Sequence, residues 1–207
     1  MAILIKPAAN NLDKQFNYRQ NMGRYNRAMH EGFYFEALLI SYAFIEDRLR
    51  SFLYHIAAIN GRTDLVVWKK TKQQLRSIGE AVRPKEKPIS LSVKSLSGKM
   101  AIVRDVFQWV NICEGEPEDA YMAVLKTQCL GEADAEAVLA TLDGIEAWKK
   151  YRNEVIHGLM NKNYGALCED LAEKCEEGMA LARMLDEQLK LVKKGNRIRR
   201  KMKIPTK

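Results

Sequence analysis

The chain has 207 residues, 47% of them hydrophobic and 29% charged, with a formal net charge of +8. That is length enough for one domain, or a domain with an appendage, and for a sizeable core. No apolar run approaches the roughly 18 residues of a membrane helix, so no membrane partner is expected. The start, Met1-Ala2-Ile3-Leu4-Ile5-Lys6-Pro7, lacks the basic and apolar segments of a secretory signal, so a cytoplasmic protein is expected.

The charge is unevenly placed. Residues 1–61 carry 7 basic and 5 acidic side chains, residues 62–104 carry 11 and 3, residues 105–189 carry 7 and 18, and residues 190–207 carry 9 and none. Two basic blocks therefore flank a long acidic region. Such blocks suit a polyanion such as RNA, with Lys69, Lys70, Lys72, Arg199, Arg200 and Lys201 as candidate contacts. A solvated lysine-rich surface with a mobile tail fits the charge equally well. Cys113, Cys129, Cys168 and Cys175 form no Cys-x-x-Cys pair. The last two are seven apart and are expected on one helix face, as small buried hydrophobes, with neither disulfides nor a zinc site. No metal and no other cofactor is expected.

In chain order, residues 1–10 read as an irregular arm and 12–30 as a polar, moderately amphipathic helix broken near Gly32. The clearest periodicity lies in the second helix, about 33–59. Leu38, Tyr42, Ile45, Leu49, Phe52 and Ile56 recur at spacings of 4 and 3 as a bundle seam, and Asn60-Gly61 is the expected stop. Thr63-Asp64 is a candidate cap for a third helix reaching Val82. Pro84 and Pro88 mark a loop to about Val93, and a helix over 97–113 carries Met100, Val103, Phe107 and Val110. Pro117 is placed to open a short helix through Leu130.

The next helix starts near Asp134 and bears an approximate apolar stripe of Val138, Leu142, Ile145, Trp148, Val155 and Leu159. Arg152 falls on that stripe, and a guanidinium there needs a partner, a ligand or a second subunit. The last helix, about 164–194, has Leu167, Leu171, Cys175, Met179, Ala182, Leu185 and Leu189 at bundle spacing. Beyond Gly195 the tail is basic, without periodicity, and expected to be mobile. No β-alternation, internal repeat or glycine-rich phosphate loop is present. The expected fold is all-α, an up-and-down bundle. One helical domain is expected over 1–194, with 62–132 as an insertion and 195–207 as a tail.

The chemistry concentrates in Arg152-Asn153-x-x-x-His157. An arginine followed four to six residues on by histidine is a weak signal: 14 arginines and 3 histidines give about 0.6 matches by chance. Arg24 to His30 and Arg50 (or Arg48) to His55 match it too. Asparagine directly after the arginine lowers the chance expectation to roughly 0.01, and only Arg152 has it. His30 and His55 are read as surface or structural residues. Asn153 and His157 are one turn apart on one face, and Arg152 is roughly 140° away with a stem long enough to return.

An imidazole titrating near neutrality suits removal of the RNA 2′-hydroxyl proton or protonation of the leaving 5′-oxygen. A guanidinium suits the phosphate charge that builds during attack, and the Asn153 amide suits orienting the imidazole or holding a phosphate oxygen. One imidazole per chain is too few where an acid and a base are both needed. Two chains with these helices antiparallel about a two-fold axis would supply a pair.

At these residues the chain resembles the HEPN domain family (higher eukaryotes and prokaryotes nucleotide-binding), whose Arg-x4-6-His ribonuclease motif Arg152, Asn153 and His157 match in the Arg-Asn-x-x-x-His form. The likeness covers mainly 33–59, 134–161 and the last helix. It implies a dimeric α-helical bundle with a composite site at the subunit interface. It also implies a metal-independent endoribonuclease in toxin–antitoxin, abortive-infection or RNA-targeting CRISPR settings, with an antitoxin or regulatory protein as a further partner. Members often carry an acidic residue midway along the earlier helix; Glu46 is the counterpart here, with Asp47 in reserve, and a surface acid beside Arg48 and Arg50 fits Glu46 equally. One toxin branch has tyrosine two residues after the histidine, where this chain has Leu159. A non-catalytic HEPN-like module that binds RNA, nucleotide or protein is the alternative reading. A helical scaffold on whose surface the motif is an accident is the third.

Overall fold

In a computed structural model, residues 12–61, 66–84, 91–161, 163–194, 197–201 and 203 are described. The fold is all-α, as the periodicities predict. The helices are α1 (Leu12–Glu31), α2 (Tyr34–His55), α3 (Lys72–Val82), α4 (Leu96–Ile112), α5 (Ala120–Glu132), α6 (Ala135–Gly158), α7 (Tyr164–Cys168), α8 (Leu171–Lys193) and α9 (Arg197–Lys201), with one 3-10 turn at Lys69–Thr71. An isolated antiparallel bridge joins Ile59 to Val67. Among the described residues no helix is long and apolar enough to cross a membrane.

The chain folds into two compact units. Unit 1 is Met1–Asp47 with Asp143–Asp186, and unit 2 is Arg48–Leu142 with Glu187–Lys207. The expected insertion, 62–132, falls in unit 2. In unit 1, α1 buries Tyr18, Met22, Tyr25 and Ala28, α2 buries Leu38, Phe44 and Ile45, and α8 buries Cys175, Met179, Ala182 and Leu185. The α1 and α8 sets repeat at three or four residues, and so do Leu38, Ser41 and Ile45 of α2, all fully buried, the period that keeps one helix face inward. Two close approaches set the packing of α6 on α8. The Trp148 indole donates Nε1–H to the Lys174 carbonyl at 2.7 Å and lies over Gly178, where a Cβ would sit 2.6 Å from the ring.

In unit 2, α4 carries Val103, Val106 and Phe107 fully inside. Phe52 meets Phe107 edge-on at 6.0 Å, and the Tyr121 hydroxyl donates to the Ile56 carbonyl at 2.8 Å. Arg83 and Asp105 form a forked ion pair at 3.1 and 2.9 Å, the geometry that best offsets desolvation of both charges.

Several boundaries differ from expectation. The second helix ends at His55, not at Asn60-Gly61. Ala57 takes the left-handed turn at φ 60°, and the Ala58 N–H closes back on the Leu53 carbonyl at 2.8 Å, a Schellman-type stop built without glycine. The third helix starts at Lys72 and lies beyond the Thr63-Asp64 cap, which falls outside the described residues. Val67 is taken by the bridge to Ile59, and the Trp68 N–H donates to the Ala58 carbonyl at 2.9 Å. Asp119, not Pro117, opens α5, its carboxylate accepting from the Tyr121 and Met122 N–H groups. The last helix is two: Asn163 caps α7, and Glu169-Asp170 separate it from α8. Cys168 and Cys175 therefore lie on different helices.

All four thiols are free; Cys129 and Cys175 are buried and Cys113 and Cys168 half-buried. Arg197–Lys201 is helical, and within it Ile198 and Arg199 are buried. A short helix thus stands where the absence of periodicity predicts an irregular course.

Candidate active site

The candidate groups all belong to unit 1 and come from two helices. Arg152, Asn153 and His157 sit on the C-terminal half of α6, and Glu46 on α2. The α6 stripe carries Ile145, Trp148 and Val155 into the core, each 2% exposed or less. Arg152 lies on the edge of that stripe and is half-buried. Its guanidinium lies over the Tyr42 ring, with its central carbon 4.4 Å from the centroid. Its Nη1 donates to the Asn153 carbonyl oxygen at 3.0 Å. Aromatic face and amide together are the partner the sequence demanded for a guanidinium on an apolar stripe. Among the described residues its buried Nε–H has no acceptor.

Tyr42 is the residue that sequence reasoning placed elsewhere. It is one member of the α2 seam, of which Leu38, Ile45, Leu49, Phe52 and Ile56 are all fully buried. Tyr42 alone among them is half-exposed. Its phenol is held above its ordinary range, chiefly by burial and next by the Glu46 carboxylate, with Arg152 acting in the opposite direction. The same hydroxyl thus feels both charges, which brings Glu46, Tyr42 and Arg152 into one electrostatic cluster. The signal in sequence was the one polar side chain on an otherwise apolar seam, four residues before Glu46.

Glu46 and Asp47 part company. Asp47 accepts from Lys14 Nζ at 2.5 Å and from the Tyr18 hydroxyl, so it ties α1 to α2. Glu46 is the acidic residue of the cluster. Asn153 accepts from Arg152 through its carbonyl oxygen, and its NH2 is the group with which it would donate to a phosphate oxygen or the imidazole. His157 is exposed, one turn beyond Asn153 and next to the buried Gly158. Around it α6 exposes Lys150 and Glu154, while Lys149 pairs with Glu146 at 2.7 Å.

The other histidines are surface and structural. His30 is exposed at the end of α1, and His55 is buried in unit 2 with its ring edge-on to Tyr54 at 5.1 Å. Among the described residues no three His, Cys, Asp or Glu side chains are grouped to hold a metal ion. Of the candidate RNA contacts, Lys69, Lys70, Lys72, Arg200 and Lys201 are exposed. Arg199 is not: it is fully buried, and its guanidinium donates to the carbonyls of Tyr54 at 3.2 Å, Ile59 at 3.1 Å and Asn60 at 2.7 Å. A side chain so engaged has no donor face to offer a phosphate, so Arg199 leaves the set of candidate RNA contacts. No family model matches the chain, and no curated protein or solved structure does.

Proposed function

We propose that the chain is a metal-independent endoribonuclease of HEPN type, acting as a cytoplasmic homodimer in a toxin or anti-phage defence role. One observation carries the reading. On α6, a guanidinium braced by an aromatic ring and an amide is followed five residues later by an exposed imidazole. In the reaction proposed, the RNA 2′-oxygen attacks the adjacent phosphorus while an imidazole takes its proton. The bond to the 5′-oxygen breaks, that oxygen receives a proton, and a cyclic phosphate and a 5′-hydroxyl result. Arg152 stabilises the phosphate oxygens as their charge increases, and Tyr42 and Asn153 hold the guanidinium ready for them. Glu46 adds a carboxylate at the rim of the same cluster.

The test is cleavage of mixed RNA at low salt by purified protein. His157→Ala and Arg152→Ala are each expected to lose at least about 100-fold in rate with an unchanged helical circular-dichroism spectrum, and excess chelator is expected to leave the wild type unaffected. Undiminished cleavage by His157→Ala removes the site. A non-catalytic binding module is the second reading. It is favoured by Asn153, whose carbonyl engages Arg152 and not the imidazole. It predicts wild-type protein that shifts RNA in a gel and never shortens it.

A further inference from the structure

The two basic segments of the sequence are fastened to one turn of unit 2. The first is Val66–Arg76. Its Val67 pairs with Ile59, its Trp68 N–H donates to the Ala58 carbonyl at 2.9 Å, and its Thr71 hydroxyl donates to the Ala57 carbonyl at 3.0 Å. The second is α9, whose Arg199 binds the carbonyls of Tyr54, Ile59 and Asn60 and lies 4.0 Å over the Tyr54 ring. Arg199 and Asn60 are 139 residues apart in the chain. Its burial therefore assigns Arg199 a different task, that of anchoring the C-terminal basic segment beside the first.

The charged side chains that these two segments expose are cationic, and the α5 cap Asp119 lies beside the first of them, accepting from Gln74 at 3.1 Å. Lys69, Lys70, Lys72 and Arg76 are exposed on the first segment, and Arg200, Lys201 and Lys203 on the second. No aspartate or glutamate occurs in 66–79 or 188–207. Lys72 and Arg76 are one turn apart on α3, whose opposite face buries Leu75 and Ile78. The lysines thus stand on a backbone fixed by hydrogen bonds and core contacts, not on a free tail.

An aromatic ring stands among them. Trp109 and Trp148 are buried, but Trp68 is half-buried, and the exposed Lys70 ammonium lies over its ring at 5.5 Å from the centroid. The face that an exposed lysine covers is within reach of solvent, and a base stacking there would displace the Lys70 ammonium toward the adjoining phosphate. Exposed cations around an accessible indole are the pairing that single-stranded nucleic acid uses, phosphates on the former and a base stacked on the latter.

We propose that this corner of unit 2 is a docking surface for single-stranded RNA, with Trp68 as the stacking platform and Lys69, Lys70, Lys72, Arg76, Arg200 and Lys201 as phosphate contacts. It rests on the ribonuclease reading only for the choice of RNA over other polyanions. It is a binding surface in unit 2, built from other residues than the Arg152 cluster of unit 1.

The experiment uses the full chain carrying His157→Ala, so that RNA is bound without being cut, and a fluorescein-labelled oligouridylate as probe. Two further variants combine this change with Lys69→Gln, Lys70→Gln and Lys72→Gln, or with Arg200→Gln and Lys201→Gln. Each set is expected to weaken binding several-fold at 0.1 M salt. The triple change should make the slope of log affinity against log salt shallower by about 2, at about 0.7 per lost phosphate contact. Unlabelled oligouridylate is expected to quench tryptophan emission, and Trp68→Leu to abolish that quenching.

Affinity unchanged in both variant sets overturns the surface. So does stronger retention on anionic vesicles than on RNA, and so does equal binding of duplex RNA with no quenching. Because every arm reads binding in a cleavage-deficient background, the surface stands or falls apart from the nuclease. Failure of the wild type to cut RNA leaves these measurements intact, and their failure leaves cleavage intact.

Discussion

Arg152 is half-buried on a helix whose neighbouring stripe members are apolar, and a cation so placed needs compensation for lost water. Tyr42 supplies a π face and Asn153 an acceptor. The ring, not the hydroxyl, is then what holds the guanidinium, and the two functions separate by mutation. Tyr42→Phe keeps the face and is expected to cleave RNA within about threefold of wild type. Tyr42→Leu removes it and is expected to lose on the order of tenfold, the scale of a partly desolvated cation–π contact. Equal losses in the two variants would assign the effect to the hydroxyl. The phenol reports on the same cluster without any reaction. Burial and Glu46 raise its pKa above the ordinary 10.0 and Arg152 opposes them. Glu46→Gln should therefore lower the titration midpoint and Arg152→Gln should raise it, read by ultraviolet titration against Tyr42→Phe. Because the folded phenol holds its proton more tightly than the unfolded one, its contribution to stability is full below pH 10.0. It is lost as pH climbs through the raised value.

Among the helices, two glycines at the contact of α6 with α8 make opposite predictions. An alanine Cβ at 178 would lie 2.6 Å from two carbons of the Trp148 ring, and one at 144 would lie 2.8 Å from a terminal methyl of Leu181. The indole is rigid and tied to the Lys174 carbonyl, whereas the leucine tip can rotate away. Alanine gains roughly 0.5–1 kcal/mol over glycine in a helix, while overpacking costs about 1–3 kcal/mol. Gly178→Ala is expected to be net destabilising by about 1–2 kcal/mol, and Gly144→Ala to change little. Urea midpoints measure both, and an unshifted Gly178→Ala would show that Trp148 yields.

The same elements show what periodicity could and could not reveal. The α2 seam and the α8 stripe were legible because burial repeats with the helix period, and α1, α2 and α6 follow their patterns closely. The stop at Ala57 was not, because a left-handed alanine leaves no residue signature where glycine would. The docking of α9 was hidden for a related reason: an arginine that satisfies three carbonyls 139 or more residues away looks, in sequence, like any other charge in a basic tail. At the site, Arg152 and Asn153 were visible as a local pair. Tyr42 was counted as core, since only tertiary packing decides which seam member sits at the rim.

If the chain cleaves RNA as proposed, the decisive quantity for the whole molecule is the number of imidazoles per cut. Cleavage by 2′-hydroxyl attack removes one proton and delivers another, and efficient enzymes place separate groups for the two transfers. Each chain offers one exposed candidate in unit 1, His157. His30, also exposed, stands in the last turn of α1 with no asparagine after its Arg24, and His55 is buried in unit 2. If two chains join into one composite site about a two-fold axis, a dimer with a single intact His157 lacks either its acid or its base.

Co-expression of differently tagged wild-type and His157→Ala chains, followed by two affinity steps, isolates that mixed dimer. Its expected cleavage rate is near that of the His157→Ala homodimer. A rate of about half the wild type would mean that each chain cuts with its own imidazole, since independent sites sum. Recovery of no mixed species, with both chains eluting as monomers, would remove the dimer and with it the composite site. The outcome therefore decides whether the one guanidinium and one imidazole of each α6 make a whole centre or half of one.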